Sequence, residues 1–543
     1  MTMAKKIGYL RALFRSNYKK QPRETSVTGK SGAISDISER ARAAQELATL
    51  LGPLIQDGGV PPGQPDDARP ECERSNILFA IESLLRVLTP DRPLYPAFHD
   101  GKVHDPLGGG AYAFQKDLVE PLMSSLAHDE SFSANSVPQS NVSATPRMPR
   151  RPIVFHVGAQ PNNSPHCGTL IVFCYAFAMA RAMRDRMEAM AASCTKAEFQ
   201  PPPVSVEITF VDTAPVSGKG VEIDGIQYQR SYRDTPGASN AWTGDYYEVI
   251  GFLSRWSDIP AHTTTQASFF SNPDMPQLLE YVISNRHVLG PQLSPKYGTL
   301  ALRAACPVPG CGLAEKHGRL NKYSYAPPSP ASEENNRDPN AQFQNWQSPP
   351  PPPETKTTTI ITFHCPDHGP HTVDVSSSSL SVSRLEANAP ARNLLRSMTH
   401  LLDNSTHHVR ITGADYAGNY QEMFLYRPLA AWQATCRLAR DRAQGRTPHI
   451  LYAPLIVDWS GAKLSKSLYV APGGYDGMRE LGTDGLGSWR ALKERVGGDG
   501  DEEGLRRIWE EVVRWVDDPR KVFRCFSVEY LKRVIIEGNA WEV

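Results

Sequence analysis

The chain carries no excess charge, since 58 lysines and arginines face 58 aspartates and glutamates across 543 residues. A neutral molecule has no global field to draw it to nucleic acid or an anionic membrane, so any contact with RNA has to come from a local patch. No uninterrupted apolar run reaches the roughly 18 residues of a membrane-crossing helix, and no membrane partner is expected. Cysteine is sparse and odd in number, nine in all, without framework-like spacing. That argues against a secreted disulfide scaffold and for a reducing compartment, the cytoplasm. Regular patterning is also missing from long stretches, and 46 prolines exceed average usage, so part of the chain is not expected to build a packed core. The length still supports roughly two to four domains.

Charge is absent as a sum but not as a pattern. Lys5, Lys6, Arg11, Arg15, Lys19, Lys20 and Arg23 all precede the first acidic residue, Glu24. Residues 1–35 therefore read as a basic tail, which fits a solvated disordered segment, an RNA-contacting arm or a transit peptide. Helical apolar spacing marks 36–123, most clearly in Ile77, Leu78, Ile81, Leu84, Leu85 and Val87. It predicts a helical lead-in whose stripe packs on the next domain or on a partner. From 124 to 150 periodicity stops and Ser, Asn, Pro and Arg take over, the composition of a linker.

Beyond the linker an α/β pattern begins. Ile153-Val154-Phe155-His156-Val157 reads as a buried strand ending at Gly158, Thr169 onward as a long helix to Met190, and Val204 to Val211 as a second strand closing on Asp212. Strand, glycine turn, helix, strand opens a doubly wound parallel sheet, in which ligands sit at the carboxyl ends of strands. Pro161-Asn162-Asn163-Ser164-Pro165-His166-Cys167-Gly168-Thr169 falls in that first turn. There His166 can reach phosphate oxygens, Gly168 permits close approach to the backbone, and the helix beginning near Thr169 adds its positive end. A proline-rich loop with a core histidine is the plainer alternative. Far downstream, strand-like Leu455-Ile456-Val457 and a Gly461 hinge lead into Lys463-Leu464-Ser465-Lys466-Ser467, a lysine-rich loop made informative by its position after the sheet.

Between these two turns lie Phe210-Val211-Asp212, the helix start Asp245-Tyr246-Tyr247-Glu248, a second helix through Leu278 to Ile283, a cysteine ribbon, and Gly413-Ala414-Asp415-Tyr416-Ala417-Gly418-Asn419. In this order, from about Arg151 to Val470, the chain resembles the class I aminoacyl-tRNA synthetases, and among them the class I lysyl-tRNA synthetases. The resemblance implies a Rossmann-like, HUP-type catalytic domain over 151–470. It implies ATP with Mg²⁺ held by His166, Gly168, Thr169, Lys463, Ser465 and Lys466, and an amino acid and ribose pocket lined by Asp212, Asp415 and Asn419. An acidic group there suits a cationic side chain or the α-ammonium; the same three residues also fit caps or turns. The last position of the signature turn is His or Asn in the family and Thr169 here. A hydroxyl can hydrogen-bond ribose or phosphate but carries no positive charge, which puts the rate of ATP turnover in question.

One site stands without the resemblance. Cys306-x4-Cys311-Gly312 and Cys365-x2-His368-Gly369 are two knuckle-like pairs, each followed by a glycine that lets backbone amides turn toward thiolate sulfur. Four such ligands predict a structural Zn²⁺ in an inserted ribbon, 300–372. Ordinary buried cysteines beside a chance Cys-x2-His are the alternative, and His317, His364 or His371 could replace His368. The pairs flank an insertion, 323–359, with five consecutive prolines at 349–353, which reads as a polyproline II surface loop.

After Ser467 the tail 471–543 offers Gly- and Asp-rich loops, a helix around Glu502 to Val516 and another near Val528 to Ile536, with Trp509, Val512, Val513 and Trp515 placed to pack on the body. Class I lysyl enzymes continue instead into a large anticodon-gripping domain. Three functions follow. One is a tRNA-dependent cyclodipeptide synthase, for which the fungal arginine-containing group is the implied relative. There an aminoacyl group drawn from aminoacyl-tRNA could pass to a hydroxyl such as Ser164 before a second amine attacks it. Another is an ATP-dependent synthetase or ligase that loads an amino acid onto a tRNA acceptor end or another acceptor. The third is an inactive RNA-binding paralogue. The amino acids used and the oligomeric state are not readable.

Overall fold

The computed structural model describes residues 118–132, 148–193, 200–216, 218–238, 240–326, 358–375, 379–443, 446–458, 461, 463–464, 478–497, 502–518, 521 and 525–538, all within one compact unit. The basic tail, the lead-in before residue 118, the proline run at 349–353, and Ser465, Lys466 and Ser467 lie outside the described residues.

A five-stranded sheet organises the unit. Its strands are β1 (Ile153–Ala159), β2 (Val204–Phe210), β5 (Ala261–Thr265), β12 (His407–Gly413) and β13 (His449–Ala453). They run in the order β13-β12-β1-β2-β5, and every neighbouring pair is parallel. The chain enters at the centre, steps outward through β2 to β5, and returns to the other side of β1. This is a Rossmann-like sheet, and its order reverses between β1 and β12.

The strands form because one face alternates as a buried strand must. Phe155, Val206 and Val409 share one register row and Val157, Ile208 and Ile411 the next, all in the main apolar core. Helix Cys167–Ser193 lies in that core with thirteen buried residues. It is long and apolar enough to cross a membrane, with a mean hydropathy of 1.3 over its best window, yet it is packed inside the molecule. Helix Glu503–Asp517 buries Leu505, Ile508, Trp509, Val512, Trp515 and Val516 in the same core, with Arg181 of helix Cys167–Ser193 stacked 5.1 Å above the Trp509 ring.

The smaller strands build satellites. β3 (Val221–Ile223), β4 (Ile226–Arg230) and β7 (Leu313–Glu315) form one antiparallel sheet, and β8 (Lys322–Ala326), β9 (Thr358–Cys365) and β10 (Gly369–Asp374) another. The strands β8 and β9 thus occupy both ends of the expected loop 323–359. β6 (Leu302–Ala304) pairs with β11 (Leu385–Ala387), and β14 (Leu455–Val457) runs parallel to β15 (Cys525–Ser527).

The expected linker from 124 begins later. Helix Val119–Phe132 continues through it because Leu122, Met123 and Leu126 are fully buried and Glu130 accepts the backbone N–H groups of Arg150 and Arg151 and meets His407 Nε2 at 2.7 Å.

The other face of the central sheet is polar. His156, Glu207 and Arg410 share one row across β1, β2 and β12, with Gly158 and Thr209 in register beyond. Helix Ala389–Leu402 covers this face. His156 Nε2 lies 2.8 Å from His408 Nδ1, His156 Nδ1 lies 3.3 Å from Glu207, and His400 stacks on His408 at 4.2 Å. Burial pushes the His156 imidazole down to about 4 and holds His400 well below its ordinary value, so both are neutral at pH 7 in the folded chain.

The folded-state value lies below the unfolded one, so between about pH 6.5 and 4 the unfolded chain binds more protons and stability falls with pH. Urea unfolding followed by tryptophan fluorescence is expected to show a midpoint that drops steadily from pH 7 to pH 5. The His156→Gln variant should lose part of that slope. A wild-type midpoint that stays constant over the interval would contradict a neutral histidine layer.

Candidate functional site

The crevice between β1 and β12 opens into a cleft of about 310 Å³. The first signature turn forms one wall. His166 caps helix Cys167–Ser193, its carbonyl accepting the N–H groups of Thr169 (2.8 Å) and Leu170 (3.0 Å). Its Nδ1 accepts the Gly168 N–H at 3.1 Å, which puts the ring proton on Nε2, 3.4 Å from Thr169 Oγ1. A Cβ on residue 168 would lie 2.9 Å from His166 Cε1, so glycine is needed for the ring to fold over the helix start. Two phenols fix the loop leading in: Tyr246 donates to the Gln160 carbonyl at 3.0 Å and Tyr232 to that of Asn162 at 3.1 Å.

The lysine hairpin forms the facing wall. After β14 the chain turns at Gly461, with φ of +82°, and comes back so that Lys463 bridges Val457 and the Leu464 N–H donates to Ile456 at 2.7 Å. Lys463 Nζ reaches Asp415 Oδ2 at 2.6 Å. Asp415 sits in the 3₁₀ turn after β12, over Gly413, where an added Cβ would meet its Oδ1 at 2.5 Å. His166, Gly168, Thr169, Asp415 and Lys463 thus all line one cleft.

The floor was not anticipated from the sequence. Arg392, Asn393 and Arg396 of helix Ala389–Leu402, together with Arg410 of β12, line it. Arg396 is 6% exposed and Arg410 9%, and one terminal nitrogen of each has no hydrogen-bond partner among the described residues. Burial pulls the Arg396 guanidinium down to about 9, with Arg410 and Arg392 adding repulsion, so it stays charged at pH 7. A signal was present in the sequence: Arg392, Arg396 and His400 recur every four residues opposite Ala391, Leu394, Leu395, Met398 and Leu402.

The other expected site residues lie elsewhere or in other contacts. Asp212 accepts the Gln266 N–H at 3.2 Å, and burial raises its carboxyl; its neighbour Val211 lines the cleft. Ser164 is buried, and its N–H donates to its neighbour Asn163. Asn419 opens the short helix Asn419–Gln421. The expected helix start at Asp245 lies inside helix Asn240–Ser257, and its acids hold the tail: Asp245 pairs with Arg490 at 2.8 Å, and Glu248 accepts from Trp489 Nε1 at 2.8 Å and Lys493 Nζ at 2.9 Å.

Cys306, Cys311, Cys365 and His368 come together from two turns, one between β6 and β7 and the other between β9 and β10, and could hold a metal ion. Cys306 Sγ to His368 Nδ1, Cys365 Sγ to His368 Nδ1 and Cys311 Sγ to Cys365 Sγ each measure 3.6 Å. Ligands at about 2.0–2.3 Å from a tetrahedral ion are spaced at about 3.3–3.8 Å, so the set fits zinc. Gly312 and Gly369, at φ of +62° and +75°, make the turns that follow each pair. The alternative histidines are engaged elsewhere, His364 with Tyr228, His371 with the Ala304 carbonyl and His317 with Gln227.

No protein-family model matches the chain, and no curated protein matches it. Among solved structures, a glutamate tRNA ligase from Elizabethkingia meningosepticum in complex with its amino acid is similar at 12% identity and a TM-score of 0.26, over 70% of this chain and 68% of that one. The Rossmann-like fold rests on the strand order.

Metal binding at the four-residue cluster has a direct readout. Freshly purified protein should carry close to one metal ion per chain by elemental analysis. The Cys365→Ser variant should carry none and melt lower by about 5 °C or more, because binding energy at such a site is folding energy. Metal-free wild type with an unchanged melting temperature in EDTA would remove the assignment.

Proposed function

We propose that the chain is an aminoacyl-transfer enzyme with a class I synthetase-like catalytic domain, and that its cleft activates an amino acid with ATP. One observation carries this reading. The imidazole turn and the lysine hairpin, far apart in sequence, face each other over the carboxyl ends of β1 and β12. In such chemistry the amino acid carboxylate attacks the α-phosphorus of ATP and pyrophosphate leaves. An acceptor hydroxyl or amine then attacks the acyl carbonyl and AMP leaves. Negative charge grows on phosphate oxygens during the first step, and donors aimed there lower its barrier.

The chain's donors have matching positions. His166 directs Nε2–H away from the bond that holds Nδ1, and the first N–H groups of helix Cys167–Ser193 supply the positive helix end. Lys463 becomes available to a pyrophosphate oxygen on leaving Asp415, and Lys466 follows three positions on in the sequence. Mg²⁺ would accompany the triphosphate and neutralise part of its charge, and Zn²⁺ in the cysteine ribbon would be structural.

Cyclodipeptide synthesis from preloaded tRNAs is the second reading, and one observation favours it: Thr169 stands where the family carries His or Asn.

Amino-acid-dependent exchange of labelled pyrophosphate into ATP tests the first reading. Lys463→Ala or Lys466→Ala should lower the exchange rate by about 10²–10³-fold, the cost of removing one donor from developing charge. Diketopiperazine formed only when preloaded tRNAs are supplied, with no exchange, would replace it by the second. An inactive paralogue would give neither signal.

A further inference from the structure

The floor of the cleft has more positive charge than the protein neutralises. Arg303 and Arg392 share a single carboxylate, Glu386, which also accepts from the Thr213 hydroxyl. Glu207, the nearest other acid in the row, is taken by His156 at 3.3 Å, Thr264 at 3.3 Å and Thr209 at 3.4 Å. Arg396 lies with its guanidinium over the Phe269 ring at 5.3 Å and reaches toward the end of β1, within 3.6 Å of where a Cβ on Gly158 would stand. Arg410 interacts electrostatically with the phenols of Tyr416, Tyr420 and Tyr452. Among the described residues neither Arg396 Nη2 nor Arg410 Nη1 has a hydrogen-bond partner.

A buried guanidinium with an empty N–H is costly unless an anion arrives to fill it. The two lie below the mouth of the cleft, where Asp415 and Lys463 already cancel one another. Planar guanidinium forks match carboxylates in two-point hydrogen bonding. The α-carboxyl of an amino acid reacting at the mouth is occupied with chemistry, so the group that reaches the floor is its side chain.

We propose that Arg396 and Arg410 bind the side-chain carboxylate of an acidic amino acid, so that the substrate is aspartate or glutamate and not an amino acid with a cationic side chain. This rests on the aminoacyl reading of the same cleft. It also names two specificity residues, on helix Ala389–Leu402 and on β12, that no signature motif contains.

The test uses full-length protein and two readouts. Calorimetric titration with aspartate, glutamate, asparagine, glutamine, lysine, arginine and pyrophosphate measures binding without requiring turnover. Pyrophosphate exchange, and product formation from a mixture of preloaded tRNAs, measure chemistry. At least one acidic amino acid should bind more than tenfold tighter than its own amide. Arg396→Met and Arg410→Met should each weaken that binding at least tenfold and leave the ligand-free melting temperature equal or higher, since each removes a buried guanidinium with an unfilled N–H. Binding of glutamate or aspartate with no exchange and no product would retain this inference while sinking the aminoacyl function. Turnover of a neutral or basic amino acid, with acids neither bound nor used, would retain the function and overturn the inference. Pyrophosphate affinity that collapses in Arg396→Met while acidic amino acids show no binding would assign the floor to phosphate and overturn it equally, and so would a protein that neither binds nor uses an acidic amino acid.

Discussion

Two connections that leave neighbouring parallel strands in opposite directions cannot close over the gap between them. Here the strands are β1 and β12. The chain leaves β1 toward β2, through helix Cys167–Ser193 on the apolar face, and leaves β12 toward β13. The crevice that results is a consequence of strand order before it is a property of any side chain. It decides which residues meet: the loop after β1 brings His166, the turn after β12 brings Asp415, and β14 launches Lys463 from the side. The tail contributes by a backbone route. β15 lies parallel to β14, and helix Glu503–Asp517 anchors that segment to the core helix that starts at the signature turn. Both walls of the cleft are therefore braced by one packed layer, although neither wall touches the other in sequence.

The sheet divides its two faces between stability and chemistry. On one, two rows of branched and aromatic residues pack against helix Cys167–Ser193 as in any α/β core. On the other, polar side chains occupy the alternating rows, and helix Ala389–Leu402 covers them with its own cationic stripe. The second apolar cluster, built on Leu394, Leu395, Met398, Leu401 and Leu402, lies on the far side of that helix. One helix thus keeps a hydrophobic face for cohesion and a charged face for the cleft. Satisfied polar networks can fix a unique arrangement in such an interlayer, and most of this one is satisfied: Glu207, His156, His408 and Asp403 form a continuous chain of contacts.

The sequence disclosed periodic elements well and convergent contacts poorly. β1, β2 and the long helix between them carry uninterrupted apolar patterns, so their existence could be read to within a few residues. The extension of helix Val119–Phe132 could not, because Ser124, Ser125 and Ser131 depress the pattern, and it is Glu130 binding residues 150 and 151 that holds the end in place. The cysteine pairs were legible because metal ligands obey spacing rules along the chain. The Cys365-x2-His368 spacing already pointed to His368, but setting aside His317, His364 and His371 required the fold, since each of those three finds another partner only once the satellite sheets have formed. Asp212, Asp415 and Asn419 read from the sequence as an amino acid and ribose pocket. Asp415 lines the cleft and meets Lys463 there, and Asp212 accepts from a helix start, both local bonds that motif order does not encode.

The arginine floor shows why a motif can locate a site without describing what it accepts. Signature turns handle the part of a reaction common to all substrates, the phosphates and the acyl carbonyl, and they recur as short sequences because backbone geometry at a helix start or a hairpin demands them. Discrimination between side chains is a different physical problem. It depends on leaving buried polar groups unpaired in the wrong complex, and residues from any element can supply those groups. Arg396 and Arg410 come from a helix and a strand joined only by the packing of one over the other. Their cost to the free protein is carried by the apolar cohesion around them, and each unfilled N–H turns that cost into selectivity for a ligand that can complete it. The same argument sets the direction of evolution at such a floor. Neutralising either arginine relieves the fold, so charge persists there only while a bound anion gives it a use.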